Sequence, residues 1–270
     1  MTEEKEWTAE DLVAHLRACG VKAGDTLIVH SSAKAVGRAE GGPMATVKAL
    51  KAAVGPEGTL LLPVFSSPTP DGVFKIKRTP SRVGLITEAF RRSEGVIRSQ
   101  HPTHSVAAWG RRAKEFVAGH DKTSGLGVDS PFHKAAKAGA TILMIGCTCT
   151  TLSLIHVAEA VIKAPYLGKA PPYAGYDRTL TLIDYEDKEH KVPPMDVPGD
   201  SAGFTVVQNE LERRGLIQHC TVGSAKTLKF DALTCLNLTI ELLRANPGAL
   251  LCKNPRCPVC PPSWKILEGS

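Results

Sequence analysis

The stretch GATILMIGCTCTTLSLIHVAEAVI, residues 139–162, decides the fold. Its first part, TILMIG at 141–146, is a short apolar run without polar alternation, which predicts a strand buried on both faces. Gly146 and a polar Cys-Thr-Cys-Thr-Thr turn end it. The chain then enters a second apolar segment, longer and helical in its spacing. A strand buried on both faces and followed directly by a helix is the building unit of a layered α/β sheet. Within that helix stand one imidazole, His156, and one carboxylate, Glu159, three positions apart and therefore on one face.

Working outward, the alternation recurs. Residues 8–19, TAEDLVAHLRAC, predict a helix with Thr8 as N-cap, Asp11 three positions on and Gly20 as its stop. A buried strand follows at 26–30. A helix over Pro43–Val54 has proline in its first turn, and another apolar strand covers 59–65. Ser81–Arg92 predicts helix, Ser105–Trp109 a short strand and Phe132–Ala138 helix. Helical spacing returns at Phe204–Arg213 and Asp231–Arg244. From Tyr166 to Ser201 the pattern breaks, and prolines bracket one hairpin-like run, TLTLIDYEDKEHKV. The expected architecture is a single domain over residues 1–270: α/β, layered α/β/α, with a central, partly parallel mixed sheet and a looped insertion at about 166–201.

Composition narrows the function. Apolar residues make up 43% and charged residues 22% of the 270, the balance of a folded globular chain. No run approaches the roughly 18 consecutive apolar residues of a membrane helix. The acidic start MTEEKEWTAEDL lacks the features of a secretion signal, so a cytoplasmic location is expected. A net charge of +6 without aromatic–basic interleaving argues against nucleic acid and suits small anionic ligands. Nothing in the sequence chooses between a monomer and a homodimer.

In open α/β sheets, ligands sit beyond the carboxyl ends of the strands. Three such ends are polar here: His30-Ser31-Ser32, Ser66-Ser67 and Cys147-Thr148. Imidazole is the usual proton acceptor at neutral pH, and a nearby carboxylate fixes its tautomer and stabilises the imidazolium. His156 and Glu159 are therefore candidates for general-base chemistry; the plainer alternative is a surface ion pair or a buried structural histidine. His30 ends a buried strand, and the serines after it can hold an anion or a carbonyl oxygen. RSQHPTHSVAAWG, residues 98–110, adds His101 and His104.

Eight cysteines in a reducing compartment point to metal or catalysis before disulfides. Cys252, Cys257 and Cys260 form C-x4-C-x2-C, which can hold structural zinc as a C-terminal segment at 252–262. The fourth ligand is expected from LIQHCTVG: His219 or Cys220.

Taken together, VHSSAKAVG, EGGPMATVKALKAAVGPEGTLLLPVFS, HPTHSVAAWG, DSPFHKAAKAGATILMIGCTCTTLSLIHVAE and VVQNELERRGLIQHCTVGSA resemble the aminoglycoside 3-N-acetyltransferase family, over about residues 9–262. The resemblance implies an acyltransferase that binds acetyl-CoA and a small-molecule amine together, the amine attacking the thioester directly. It assigns His156 as general base and Glu159 as its orienting partner. It places His30 near the thioester and assigns CoA contacts to Ser31, Ser32, Ser66, His101 and Ser105. A polycationic aminoglycoside needs an acidic lining. Asp196, in the acidic run 184–200, is the expected contact to the amine, with Asp71 a second candidate; residues 184–191 of that run are expected to be the exposed tip of a hairpin. Readings that remain open are an acetyltransferase for a non-antibiotic amine and a non-catalytic CoA- or small-molecule-binding module. A metal-dependent hydrolase fits less well, because His30, His101, His104 and His156 lack ligand spacing.

Overall fold

The computed structural model describes residues 5–169, 178–194 and 199–269. Among these, ten strands form: β1 (Thr26–Ser31), β2 (Thr59–Pro63), β3 (Val73–Lys75), β4 (Ile97–Arg98), β5 (Val106–Gly110), β6 (Thr141–Ile145), β7 (Leu180–Ile183), β8 (Glu189–Val192), β9 (Gln218–Val222) and β10 (Ala225–Asp231). Seven build the main sheet in the order β4-β5-β2-β1-β6-β10-β9. The central β2, β1 and β6 are parallel, and the flanking pairs are antiparallel. The mixed, partly parallel sheet expected from the sequence is therefore present.

The helices are α1 (Ala9–Ala18), α2 (Ala33–Val36), α3 (Pro43–Val54), α4 (Leu85–Arg92), α5 (Ala113–Val117), α6 (Pro131–Lys137), α7 (Leu154–Ile162), α8 (Thr205–Arg213), α9 (Ala232–Ala245) and α10 (Cys260–Glu268). They cover both faces of the sheet, because side chains alternate along a strand. Leu27 and Val29 of β1 pack with Leu12, Leu16, Leu50 and Phe90 from α1, α3 and α4. Ile28 between them packs with Phe132, Ile155, Leu211 and Leu236 from α6 to α9. Thr8 and Asp11 close the predicted capping box on α1, with bonds of 3.0 and 3.1 Å.

Some predicted boundaries move for local reasons. The α4 helix begins at Leu85, because the Ser81 amide is held by the Glu88 carboxylate at 2.8 Å and Gly84 is the N-cap. The α7 helix begins at Leu154, after a 3-10 turn at Cys149–Thr151. The hairpin of the looped insertion forms as β7–β8, but it stays outside the main sheet. It joins β3 in a three-stranded sheet with its own core of Phe74, Ile76, Leu182 and Val192. The β9–β10 hairpin at the sheet edge was not foreseen.

One expectation about the cysteines is corrected. Cys19 at the end of α1 and Cys220 on β9 form a disulfide, with Cα atoms 5.5 Å apart. The α1 helix packs beside that edge strand, which brings the two residues within disulfide reach. Cys220 is thereby removed from the metal ligands. No helix among the described residues is long and apolar enough to cross a membrane.

Candidate active site

A cavity of about 700 Å³ opens beyond the carboxyl ends of β1, β2 and β6. Each strand end contributes. His30 and Ser31 end β1 and Ser32 to Lys34 follow it, Pro63 ends β2 and Phe65 lies just beyond, and Cys147 with Thr150 to Ser153 follow β6. The far wall comes from Val83 to Leu85, Leu126, His104, Gly199, Ser201 and Phe204. The geometry follows from the topology: parallel strands end together, and the turns into α2 and α7 leave a crevice between them.

His156 reaches this cavity from the first turn of α7 and is 8% exposed. Its Nδ1 donates to Glu159 Oε2 at 2.6 Å, and Glu159 is 1% exposed. The other carboxylate oxygen, Oε1, accepts from the Tyr166 hydroxyl at 2.7 Å. Both oxygens of a buried carboxylate are thus engaged, as burial of a charge requires. With the proton on Nδ1 shared with Glu159, Nε2 carries the lone pair. Phe204 packs edge-on against the ring, with centroids 4.7 Å apart. A second cavity, of about 470 Å³, is also lined by His156. Its walls include Ser124, Leu126, Lys163 and Lys169. His156 and Leu126 are shared by the two cavities.

His30 is buried against the main cavity, and burial holds its imidazole down to about 4. It is therefore neutral near pH 7. Among the described residues nothing hydrogen-bonds to His30 Nε2 or to Ser31 Oγ. Two buried polar atoms without partners beside a cavity are suited to a polar ligand, since an unmet buried group costs about 1–3 kcal/mol. Ser32 lines the cavity as well and accepts from the Ala35 amide at 3.3 Å. Cys147 also reaches the cavity, but burial pushes its thiol up to about 11. It is a thiol at neutral pH and a poor nucleophile.

Other predicted contacts are elsewhere. Ser66, His101 and Ser105 do not line the cavity; they are buried behind its wall. Ser66 donates to the Pro102 carbonyl at 3.0 Å, and Ser105 donates to the Val64 carbonyl at 3.1 Å. His101 Nδ1 accepts from the His104 amide at 2.9 Å. Each fastens the loop that presents His104 to the cavity. Asp71 accepts from the Val73 amide and fixes the turn into β3, outside both cavities. Asp196 lies outside the described residues. Asp184 is buried in its hairpin, where it accepts from the amides of Glu186 and Lys188 and from His190. Thr148, after β6, bonds to Thr150 rather than facing the cavity.

The C-terminal thiols Cys252, Cys257 and Cys260 converge as their spacing predicted, and the fourth potential ligand beside them is Asp200. His219 pairs with Glu212 instead. Sequence reasoning did not single out Tyr166, because its partner is defined only once α7 ends at Lys163 in a left-handed conformation and turns the chain back.

The family model for aminoglycoside 3-N-acetyltransferases matches residues 28–244. Aminoglycoside N(3)-acetyltransferase VIII of Streptomyces fradiae is 29% identical over 88% of this chain and 92% of its own. Aminoglycoside N(3)-acetyltransferase III of Pseudomonas aeruginosa is 33% identical over 89% of this chain and 95% of its own. Among solved structures, the apoenzyme of aminoglycoside acetyltransferase AAC(3)-IVa superposes with a TM-score of 0.82 at 25% identity, covering 98% of this chain and 99% of that one. AAC-IIIb, solved as a binary complex with CoASH, superposes with a TM-score of 0.73 at 25% identity, covering 89% and 97%. With a strand-end cleft, a buried His–Glu pair and a match over most of its length, the chain belongs to the aminoglycoside 3-N-acetyltransferase family and is an acyltransferase.

Proposed function

We propose that the protein, as one acetyltransferase domain, transfers the acetyl group of acetyl-CoA to an amine, the 3-amino group of an aminoglycoside being the leading acceptor, with His156 as general base. The observation that carries this reading is that His156, paired with Glu159, lines both the strand-end cavity and a second one. A base for direct transfer must meet the acceptor nitrogen while the thioester lies alongside. In the proposed step, Nε2 removes a proton from the amine, and the nitrogen attacks the thioester carbonyl carbon. The C–S bond then breaks, the thiolate leaves and takes up a proton, and the products are an N-acetyl amide and CoA. Glu159 stabilises the imidazolium formed on His156. His30 Nε2 and Ser31 Oγ, both unpartnered on the cavity wall among the described residues, are read as the groups that meet the thioester or its oxyanion. Cys147, a thiol on the cavity wall, is kept protonated by burial and is a poor nucleophile, which supports direct attack over an acyl-enzyme. Cys252, Cys257 and Cys260 are read as ligands of a structural zinc, and the chain as cytoplasmic.

The test is free-thiol release from acetyl-CoA across a panel of aminoglycosides and simple amines. His156→Ala is expected to lower kcat by about 10²–10⁴-fold and to keep donor affinity. A variant with unchanged kcat overturns the assignment.

The second cavity favours an alternative acceptor. Its described lining contains Lys163 and Lys169 and no carboxylate. A polycation approaching this side meets like charge, whereas an amine bearing a phosphate or carboxylate meets a counter-charge. Higher kcat/KM for amino acids or amino-phosphates than for aminoglycosides selects this reading.

A further inference from the structure

Asp200 and the three C-terminal thiols come from distant parts of the chain and meet beside the active-site wall. The Sγ atoms of Cys252, Cys257 and Cys260 and a carboxylate oxygen of Asp200 all lie within 4.8 Å of one another. Cys260 Sγ is 3.8 Å from Asp200 Oδ2. Ligands on a zinc tetrahedron, with Zn–S about 2.3 Å and Zn–O about 2.1 Å, stand roughly 3.5–3.8 Å apart. Two backbone amides already address the sulfurs: Cys252 N–H donates to Cys260 Sγ at 3.2 Å, and Cys260 N–H to Cys257 Sγ at 3.4 Å. Such donors stabilise thiolates and orient metal ligands. A set of three soft thiolates and one carboxylate selects zinc over magnesium or calcium.

Asp200 gives the site its consequence. Its neighbours Gly199 and Ser201 line the main cavity. A Cβ placed on Gly199 would stand 3.7 Å from Glu159 Oε1 and 4.0 Å from Val259, so this backbone lies between the orienting carboxylate and the cysteine segment. Tyr166, the other group at Glu159 Oε1, packs in one apolar cluster with Cys257, Val259 and Cys260. Tyr166, which holds Glu159, is therefore seated on the segment that carries the thiols, and the 199–201 backbone runs beside both.

We propose that zinc held by Asp200, Cys252, Cys257 and Cys260 clamps the cysteine segment to the 199–201 wall, fixes Glu159 and through it His156, and so sets turnover. Asp200 is a positioning residue here. The proposal rests on the reading of the thiols as zinc ligands and of His156 as base, and its test separates all three.

The full chain is purified without chelator and its metal measured by plasma mass spectrometry, with one zinc per chain expected. Asp200→Asn is expected to surrender zinc to a colorimetric chelator at a concentration at least ten-fold below that needed for the unaltered protein. Its kcat is expected to fall about ten-fold, its KM for acetyl-CoA to stay within two-fold, and excess zinc to restore kcat. Cobalt substitution of the unaltered chain should give a thiolate-to-metal charge-transfer band that Cys260→Ser weakens. Far-ultraviolet circular dichroism controls for folding of both variants. A chain that carries no zinc and takes up no cobalt overturns the metal site. Unchanged chelator resistance in Asp200→Asn removes Asp200 from the ligands. Zinc loss with unchanged kcat overturns the clamp and leaves the metal site standing. Zinc-loaded His156→Ala with full turnover overturns the base and leaves the metal site untouched.

Discussion

Glu159 accepts two short hydrogen bonds in a place almost closed to water, one from His156 and one from Tyr166. The two bonds do different work. The bond from His156 fixes the ring and, once the ring is protonated, joins two opposite charges. A hydrogen bond between charged partners is worth about 1.5–3 kcal/mol, so Glu159→Gln is expected to lower kcat by roughly ten- to hundred-fold. The donor KM should stay near its starting value, since Glu159 does not line either cavity. The bond from Tyr166 only holds the carboxylate. Its removal in Tyr166→Phe is worth about 0.5–1.5 kcal/mol, so kcat should fall no more than about ten-fold. The double variant is expected to be little worse than Glu159→Gln alone, because both changes act through one group. Steady-state kinetics on the three variants checks this; additive losses would show that Tyr166 acts independently of Glu159.

At the scale of elements, the site depends on how closely α2 approaches the turn after β6. Gly146 follows β6 with φ +68°, and a Cβ there would stand 2.2 Å from the Ala35 Cβ. Gly146→Ala must therefore strain the backbone, at about 1–2 kcal/mol, and also push α2 outward. Ser32 to Lys34, at the start of α2, line the main cavity. The expected result is a lower unfolding midpoint together with a raised KM for acetyl-CoA. Gly139→Ala is the control. It has φ +80° and open space around it, so it should cost stability and leave KM unchanged. This contrast also shows what the sequence made legible. Apolar runs such as Leu27–Val29 and Ile142–Ile145 identify buried parallel strands by themselves, and the polar ends of those strands locate the cleft. The i,i+3 spacing of His156 and Glu159 brings them together without any tertiary information. Contacts between distant segments left no such local trace. Asp200 beside the thiols, Tyr166 against Glu159 and Cys19 against Cys220 each join residues whose neighbours in sequence say nothing of the partner. Ser66, His101 and Ser105 stand behind the cavity wall for a related reason: a polar residue near a strand end can fasten a loop as well as face a ligand, and sequence alone does not give its burial.

The whole molecule closes on itself through the Cys19–Cys220 bond, which spans 201 positions and ties α1 to the edge strand β9. Six cysteines are free. Denatured, unreduced protein is therefore expected to titrate six thiols, and eight after reduction, with any bound metal first removed. Replacing Cys220 by serine releases a loop whose closure is worth up to about 5 kcal/mol, readable as a lower urea midpoint under non-reducing conditions. Acid acts on the molecule differently. Burial holds the imidazoles of His30 and His120 down to about 4, and burial together with the nearby His156 and His120 holds that of His104 down to about 3. In the unfolded chain each titrates near 6.5. Between these limits the unfolded state binds protons that the native state refuses, so stability rises with pH across the interval. It is fully present above about pH 6.5 and drains away as the pH falls toward 4. Each imidazole contributes a slope of up to about 1.4 kcal/mol per pH unit. Three acting together approach ~4 kcal/mol per unit at the lower end, against a total stability on the order of 5–15 kcal/mol for a typical domain. Urea midpoints measured from pH 8 to 4.5 should be flat above 7 and fall ever more steeply below 6. A profile that stays flat to pH 4.5 would mean that these histidines accept protons in the folded state and that the loop behind the cavity wall opens to water.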